Sequence, residues 1–145
     1  MTRRALDTLR SLGDAGAEFS DLAQMRLFAL SALDLIPASA LERLYAPIAT
    51  AHRLAATGVS KEELSSARHA SWMIAGSRPP VTPVENAARI VVGALQTDWN
   101  SDPADADMHL DYLIVHCIGA GASDSALADL LWQFYAPPNN RWRGP

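Results

Sequence analysis

Asp102 to Gly121 reads DPADADMHLDYLIVHCIGAG, and its spacing of apolar residues is helical. Asp102 suits an N-cap, and Pro103 suits the first helical position, where its missing N–H costs nothing. Asp105 and Asp107 follow near the first turn, where carboxylates complement the helix dipole. At about 100° per residue, Leu110, Leu113, Ile114, Cys117 and Ile118 form one broad apolar face. Val115 lies away from its centre, so the segment is apolar beyond a single stripe. A helix of that kind is expected to be central in its bundle. Gly119 and Gly121 are its stop signals.

The remaining stripe carries versatile chemistry. Asp105, His109, Tyr112 and His116 are spaced i, i+4, i+7 and i+11, which puts them along one edge. Asp105, His109 and His116 are residue types that could bind a metal through one carboxylate and two histidines, with a histidine pair or carboxylate from another helix needed to complete the site, and the four together could relay protons. The simpler reading is a half-buried His/Tyr edge that bonds to a neighbouring helix or faces a partner. Asp98-Trp99-Asn100-Ser101-Asp102 begins like a calcium loop, but Pro103 stands where the sharp turn needs Gly. Asp105 occupies an apolar position, and His109 replaces the bidentate Glu. Those acids are better read as caps and loop.

The flanking sequence reads as further helices. Residues 2–12 form a short one ended by Gly13, with Leu6, Leu9 and Leu12 inward. Ser20 is positioned to cap a second, nearly all apolar and therefore internal, that stops before Pro37. Residues 38–57 are helical with a fault at Pro47, either a kink or a break. Gly58 ends that stretch. Ser60 and Glu63 then make a capping box for a helix to about Gly76. Within it, Arg68 and Trp72 are four apart, as a cation–π pair requires. SRPPVT at residues 77–82 is a rigid connector. Thr82 and Glu85 repeat the capping pattern, and Glu85 and Arg89 are spaced as an ion pair. Ser123 caps a last helix ended by Pro137 and Pro138. Six or seven short helices over residues 1–138, without strand-like alternation, predict an all-α compact bundle; a short α-solenoid of helical hairpins is the alternative. Residues 139–145 form a tail.

Composition narrows the function classes. The 145 residues, 49% hydrophobic and 19% charged, are those of a globular domain, and the net charge is −4. Neither nucleic acid nor an anionic membrane is the expected partner of such a chain. The segment Gly119 to Tyr135 has a helix-turn-helix rhythm, but its second helix carries Asp124 and Asp129 and no basic residue, against DNA reading. One cysteine, Cys117, excludes an internal disulfide and falls on the apolar face, where an inert thiol is expected. No segment reaches the ~18 apolar residues of a membrane span, and the start is not a secretory signal. There is no phosphate-binding glycine loop, HExxH, GxSxG or CxxC, and no cofactor is expected. A cytoplasmic location follows.

Leu41 to Trp72 runs LxxLY, then HRLAATGVSKEELSSARHASW. The succession of a helix, G-V-S-x-E-E-L and A-R-x-A-x-W resembles a loose class of small all-helical bacterial proteins, some of which look like immunity proteins of toxin systems. The resemblance covers about a third of the chain and implies a protein that binds a cognate toxin and blocks it. The expected contact surface is acidic and aromatic: Trp72, Asp98, Trp99, Asp102, Asp105, Asp107, His109 and Tyr112, meeting a toxin with a basic surface. A helical enzyme or metal protein built on Asp105, His109, Tyr112 and His116 is the competing expectation, and a structural or oligomer-forming subunit is a third.

Overall fold

The computed structural model describes residues 4–97 and 105–137, the side chains of residues 105–108 excepted. Seven α-helices are present among them: α1 (Arg4–Asp14), α2 (Leu22–Leu33), α3 (Tyr45–Ala56), α4 (Lys61–Ala75), α5 (Pro83–Ala94), α6 (Asp105–Gly119) and α7 (Asp124–Tyr135). Two 3-10 turns, Ala38–Ala40 and Glu42–Leu44, lead into α3, and no described residue is in a strand. No described helix is long and apolar enough to cross a membrane. The expected tail, residues 139–145, and the cap at Asp102 lie outside the described residues.

The architecture is a closed bundle. α5 packs against α2, α4 and α6, and α2 also touches α3, α6 and α7. The first helix lies along the last, α1 against α7. An open solenoid would leave those two apart, so this contact selects the bundle. The centre therefore belongs to α2 and α5, whereas α6 was expected there. Leu110, Leu113, Ile114 and Cys117 of α6 are buried as read, but Val115 and Ile118 are exposed. The sequence has more apolar residues on α6 than the bundle has neighbours to cover. On α5 the buried run is Ala87, Ala88, Ile90, Val91 and Ala94; its small residues let three helices approach closely.

Several local signals resolve differently from their sequence reading. α1 runs through Gly13, and the reversal falls on Gly16, whose φ of 91° is the left-handed geometry that favours glycine. Asp21, not Ser20, caps α2, its Oδ1 accepting from Gln24 N–H at 3.2 Å. Pro47 neither kinks nor breaks a helix: α3 begins at Tyr45, so the proline stands in the first turn, where no intrahelical donor is needed. Ser60 does cap α4, its Oγ accepting from Glu63 N–H at 3.1 Å. The Glu63 carboxylate, however, accepts from Arg53 at 3.0 Å and does not close the reciprocal half of a box. At Thr82 the box is complete.

The ends of two helices are closed by distant side chains. Asp124 accepts the backbone N–H groups of Arg4 at 2.7 Å and Ala5 at 2.8 Å. It satisfies the orphan donors of the first turn of α1 from the first turn of α7. At the other side, Arg26 of α2 donates to the Ala94 and Gln96 carbonyls, at 2.9 and 2.5 Å. Arg68 of α4 donates twice to Leu95 O, at 3.1 and 2.8 Å, and to Thr97 Oγ1 at 3.0 Å. Burial, and then the neighbouring Arg68 charge, lower the Arg26 pKa. The carbonyl dipoles at the end of α5 offset that crowding of two cations.

Asp124→Ala is expected to destabilise the fold by about 1–2 kcal/mol, the worth of a lost helix cap. Amide hydrogen exchange should localise the loss to the first turn of α1. Unchanged protection at Arg4 and Ala5 would show that the carboxylate does not hold this helix.

Candidate functional site

A cleft of about 170 Å³ opens between α4, α5 and α6. Trp72 stands on its α4 wall, Arg89 on α5, and His109, Tyr112 and His116 on α6, with buried Met25 of α2 among its lining residues. Two sequence expectations thus meet in space. Trp72 is forty residues from Tyr112, and both rings remain open, at 45% and 58% exposure. The Tyr112 and His116 rings stack with an interplanar angle of 19° and centroids 6.5 Å apart. Their i, i+4 spacing on one helix produces that contact directly.

Of the other expected contact residues, Asp98, Trp99 and Asp102 lie outside the described residues. Asp105 and Asp107 are in the first turn of α6, and their side chains are also outside them. Among the described residues no group of three His, Cys, Asp or Glu side chains is placed to hold a metal ion. Of the Asp105, His109 and His116 trio, only the two histidines have described side chains. They share the cleft, but His116 is held by another residue.

That residue is Asn86, a buried amide on α5. Its Nδ2 donates to Thr82 O at 3.0 Å, which leaves Oδ1 as the acceptor facing His116 Nδ1, 3.2 Å away. Nδ1 must then carry the hydrogen, and in the neutral ring the lone pair is on Nε2. Burial, and then the Arg89 charge, push the His116 pKa below its ordinary value. Asn86 fits because of Gly119: a Cβ there would stand 2.6 Å from the amide carbon and oxygen and 2.7 Å from its nitrogen. Gly119 is a packing residue within α6 as well as its last helical position.

Arg89 is the residue that sequence reading placed elsewhere. It was expected to pair with Glu85, and Arg68 with Trp72. Instead Glu85 accepts from the Val81 and Thr82 N–H groups, at 3.0 and 2.9 Å. Those backbone bonds hold its carboxyl below the usual range. Arg68 is taken by the end of α5. The guanidinium over the Trp72 ring is that of Arg89, 4.8 Å from the centroid. Its Nη2 donates to the Gly76 and Arg78 carbonyls, each at 3.0 Å, and closes the end of α4 in the same way that Arg26 and Arg68 close α5. Its Nε is buried without an acceptor, a cost of about 1–3 kcal/mol. A lone Asn in the apolar run of α5 was the one available hint of the buried network. Nothing in the local sequence marked Arg89, because its partners are thirteen and eleven residues away.

Cys117 next to this site is buried, and its thiol is pushed up to about 12 by desolvation, as an inert core thiol should be. No family model, characterised protein or solved structure matches this chain.

The depressed His116 pKa gives stability a pH dependence of fixed sign. Folding favours the neutral ring, so this contribution is complete above the ordinary value of 6.5. It is lost as pH falls from there through the lower folded value. Arg89 is the charged group that faces the ring from α5, and His109 and Tyr112 are its neighbours on α6 in the cleft. The Tm of the native chain should therefore fall from pH 7 to pH 5 more steeply than that of His116→Gln. Parallel curves would remove His116 as the source. Gly119→Ala should cost about 1–3 kcal/mol, as overpacking does, and Asn86→Ala in the same chain should recover part of that loss. Additive losses in denaturant melts would contradict the packing assigned to this pair.

Proposed function

We propose that this chain is a protein-binding module whose recognition surface is the face around the α4–α5–α6 cleft. The observation that carries this reading is the convergence of Trp72, Tyr112 and Arg89, from three helices, on one cleft. These are the residue types that most often anchor protein interfaces. Both rings are open to solvent, and both are held by a neighbour: Arg89 lies over Trp72, and His116 stacks on Tyr112. Ordering such side chains on binding costs little entropy. Met73, Val115 and Ile118 are further exposed apolar side chains on the same two outer helices, α4 and α6.

The more specific form of the proposal is an immunity protein that binds a toxin and occludes it. Steric occlusion needs no catalytic group, only about 800 Å² of well-fitted surface per partner. The acids at Asp98, Asp102, Asp105 and Asp107 precede the cleft residues of α6 in sequence. Facing a basic partner, they would raise the association rate more than the affinity. The resemblance in Leu41 to Trp72 supports this form, and Trp72 is its last residue.

A photo-crosslinking amino acid at position 112 tests the surface. It should yield a discrete adduct in cells that is lost with Trp72→Ala, whereas the same probe at exposed Ala55 on α3 should not yield it. Equal adducts from positions 112 and 55, or an adduct indifferent to Trp72→Ala, would place the interface elsewhere. The immunity form further requires that growth arrest by the product of an adjacent gene be relieved by the native chain and not by the Trp72→Ala/Tyr112→Ala double variant.

A further inference from the structure

The floor of the cleft has a chemistry of its own, independent of whether a protein docks on its rim. We propose that it binds a small aromatic carboxylate: a single planar ring that bears one carboxylate group.

The size sets the first limit. The cleft measures about 170 Å³, and cavities of roughly 150 Å³ accept one benzene ring. A ring with one small substituent fills that volume. The walls set the second. The Tyr112–His116 stack offers a flat aromatic surface, and Met25, Val92 and Leu113 are the apolar lining residues. Flat aromatic walls favour a planar guest, and the thioether of Met25 makes favourable contacts with ring edges.

Charge sets the third. No carboxylate side chain is among the described lining residues, and Arg89 is one of them. Arg89 makes no ion pair with any described residue; the two ion pairs found among them are Arg10–Asp7 and Arg53–Glu63. Its Nη2 is committed to two backbone carbonyls, and no hydrogen bond is made by Nη1 among the described residues. Nη1 is left to donate to one oxygen of a guest, and a charge-assisted bond of this kind favours a carboxylate. A cationic guest is disfavoured although the walls are aromatic, because Arg89 already occupies the Trp72 face. A neutral ring would leave the cation unmatched.

The test is a titration of the isotopically labelled full chain, followed by ¹H–¹⁵N correlation spectra of the Trp72 indole N–H and the Arg89 Nε–H. Sodium benzoate is the probe. Benzamide is the uncharged control of the same shape, and acetate is the control without a ring. Benzoate should give saturable shifts at both groups and bind at least about tenfold more tightly than either control. Arg89→Gln should reduce benzoate to the level of benzamide. Because Arg89 also closes the end of α4, that variant could fail to fold. Tyr112→Ala removes an exposed ring instead and should weaken benzoate several-fold with the fold intact. Benzoate no tighter than benzamide, no saturation by about 20 mM, or shifts elsewhere with none at Trp72 and Arg89 would each overturn the proposal. Loss of the protein adduct at position 112 would leave it standing.

Discussion

A helix cannot end inside a protein without donors for its last carbonyls. α5 ends beside Leu95, which is fully buried, and this constraint organises the molecule. The donors are two guanidinium groups, Arg26 from α2 and Arg68 from α4. Neither makes an ion pair with a described residue. Their charges are matched by the negative end of a helix dipole. The same bonds tie α2 and α4 to α5, the helix that packs on both. Closing one helix end therefore also fixes the relative placement of three helices.

The cleft is a consequence of that placement. With α4 and α5 locked at one end, the other end of α4 is closed by Arg89, which reaches back from α5 and lies over Trp72 on the way. On the opposite side, α6 approaches α5 closely because Gly119 leaves room for the Asn86 amide. Asn86 in turn fixes the ring of His116, and His116 supports Tyr112. Each aromatic group on the rim is thus held by a polar side chain: Trp72 by Arg89, and Tyr112 by His116 with the buried Asn86 behind it. Burial of those polar groups is tolerable because they bond to helix-end carbonyls or to one another; the Arg89 Nε is an exception.

The charge of the described cleft differs from that of the chain as a whole. The chain is acidic overall, and the acids expected at the contact surface lie outside the described side chains. The described part of the cleft presents one cation without an ion pair and two imidazoles. Net charge averages over the whole surface, whereas recognition depends on the few side chains that share a concavity. Five carboxylates among the described residues are drawn off to local duties. Asp21 and Glu85 serve at helix starts, Asp124 closes α1, and Asp7 and Glu63 pair with arginines.

The sequence by itself determined what is local. Helix positions, the caps at Ser60, Thr82 and Ser123, the buried face of α6 from Leu110 to Cys117 and the Tyr112–His116 neighbour pair all follow from interactions within four residues, and these are encoded by spacing. It also marked Trp72, His109 and Tyr112 as candidates from their chemistry alone. Tertiary structure decided which of two equally spaced pairings an arginine makes. Arg68 and Arg89 each had a suitable partner four residues away, and each took distant carbonyls instead, because a buried helix end needs donors more than a solvated pair needs contact. It also decided that α5 and not α6 is central. Apolar content sets how much surface a helix can bury, but the number of neighbours that reach it depends on how all the helices are arranged.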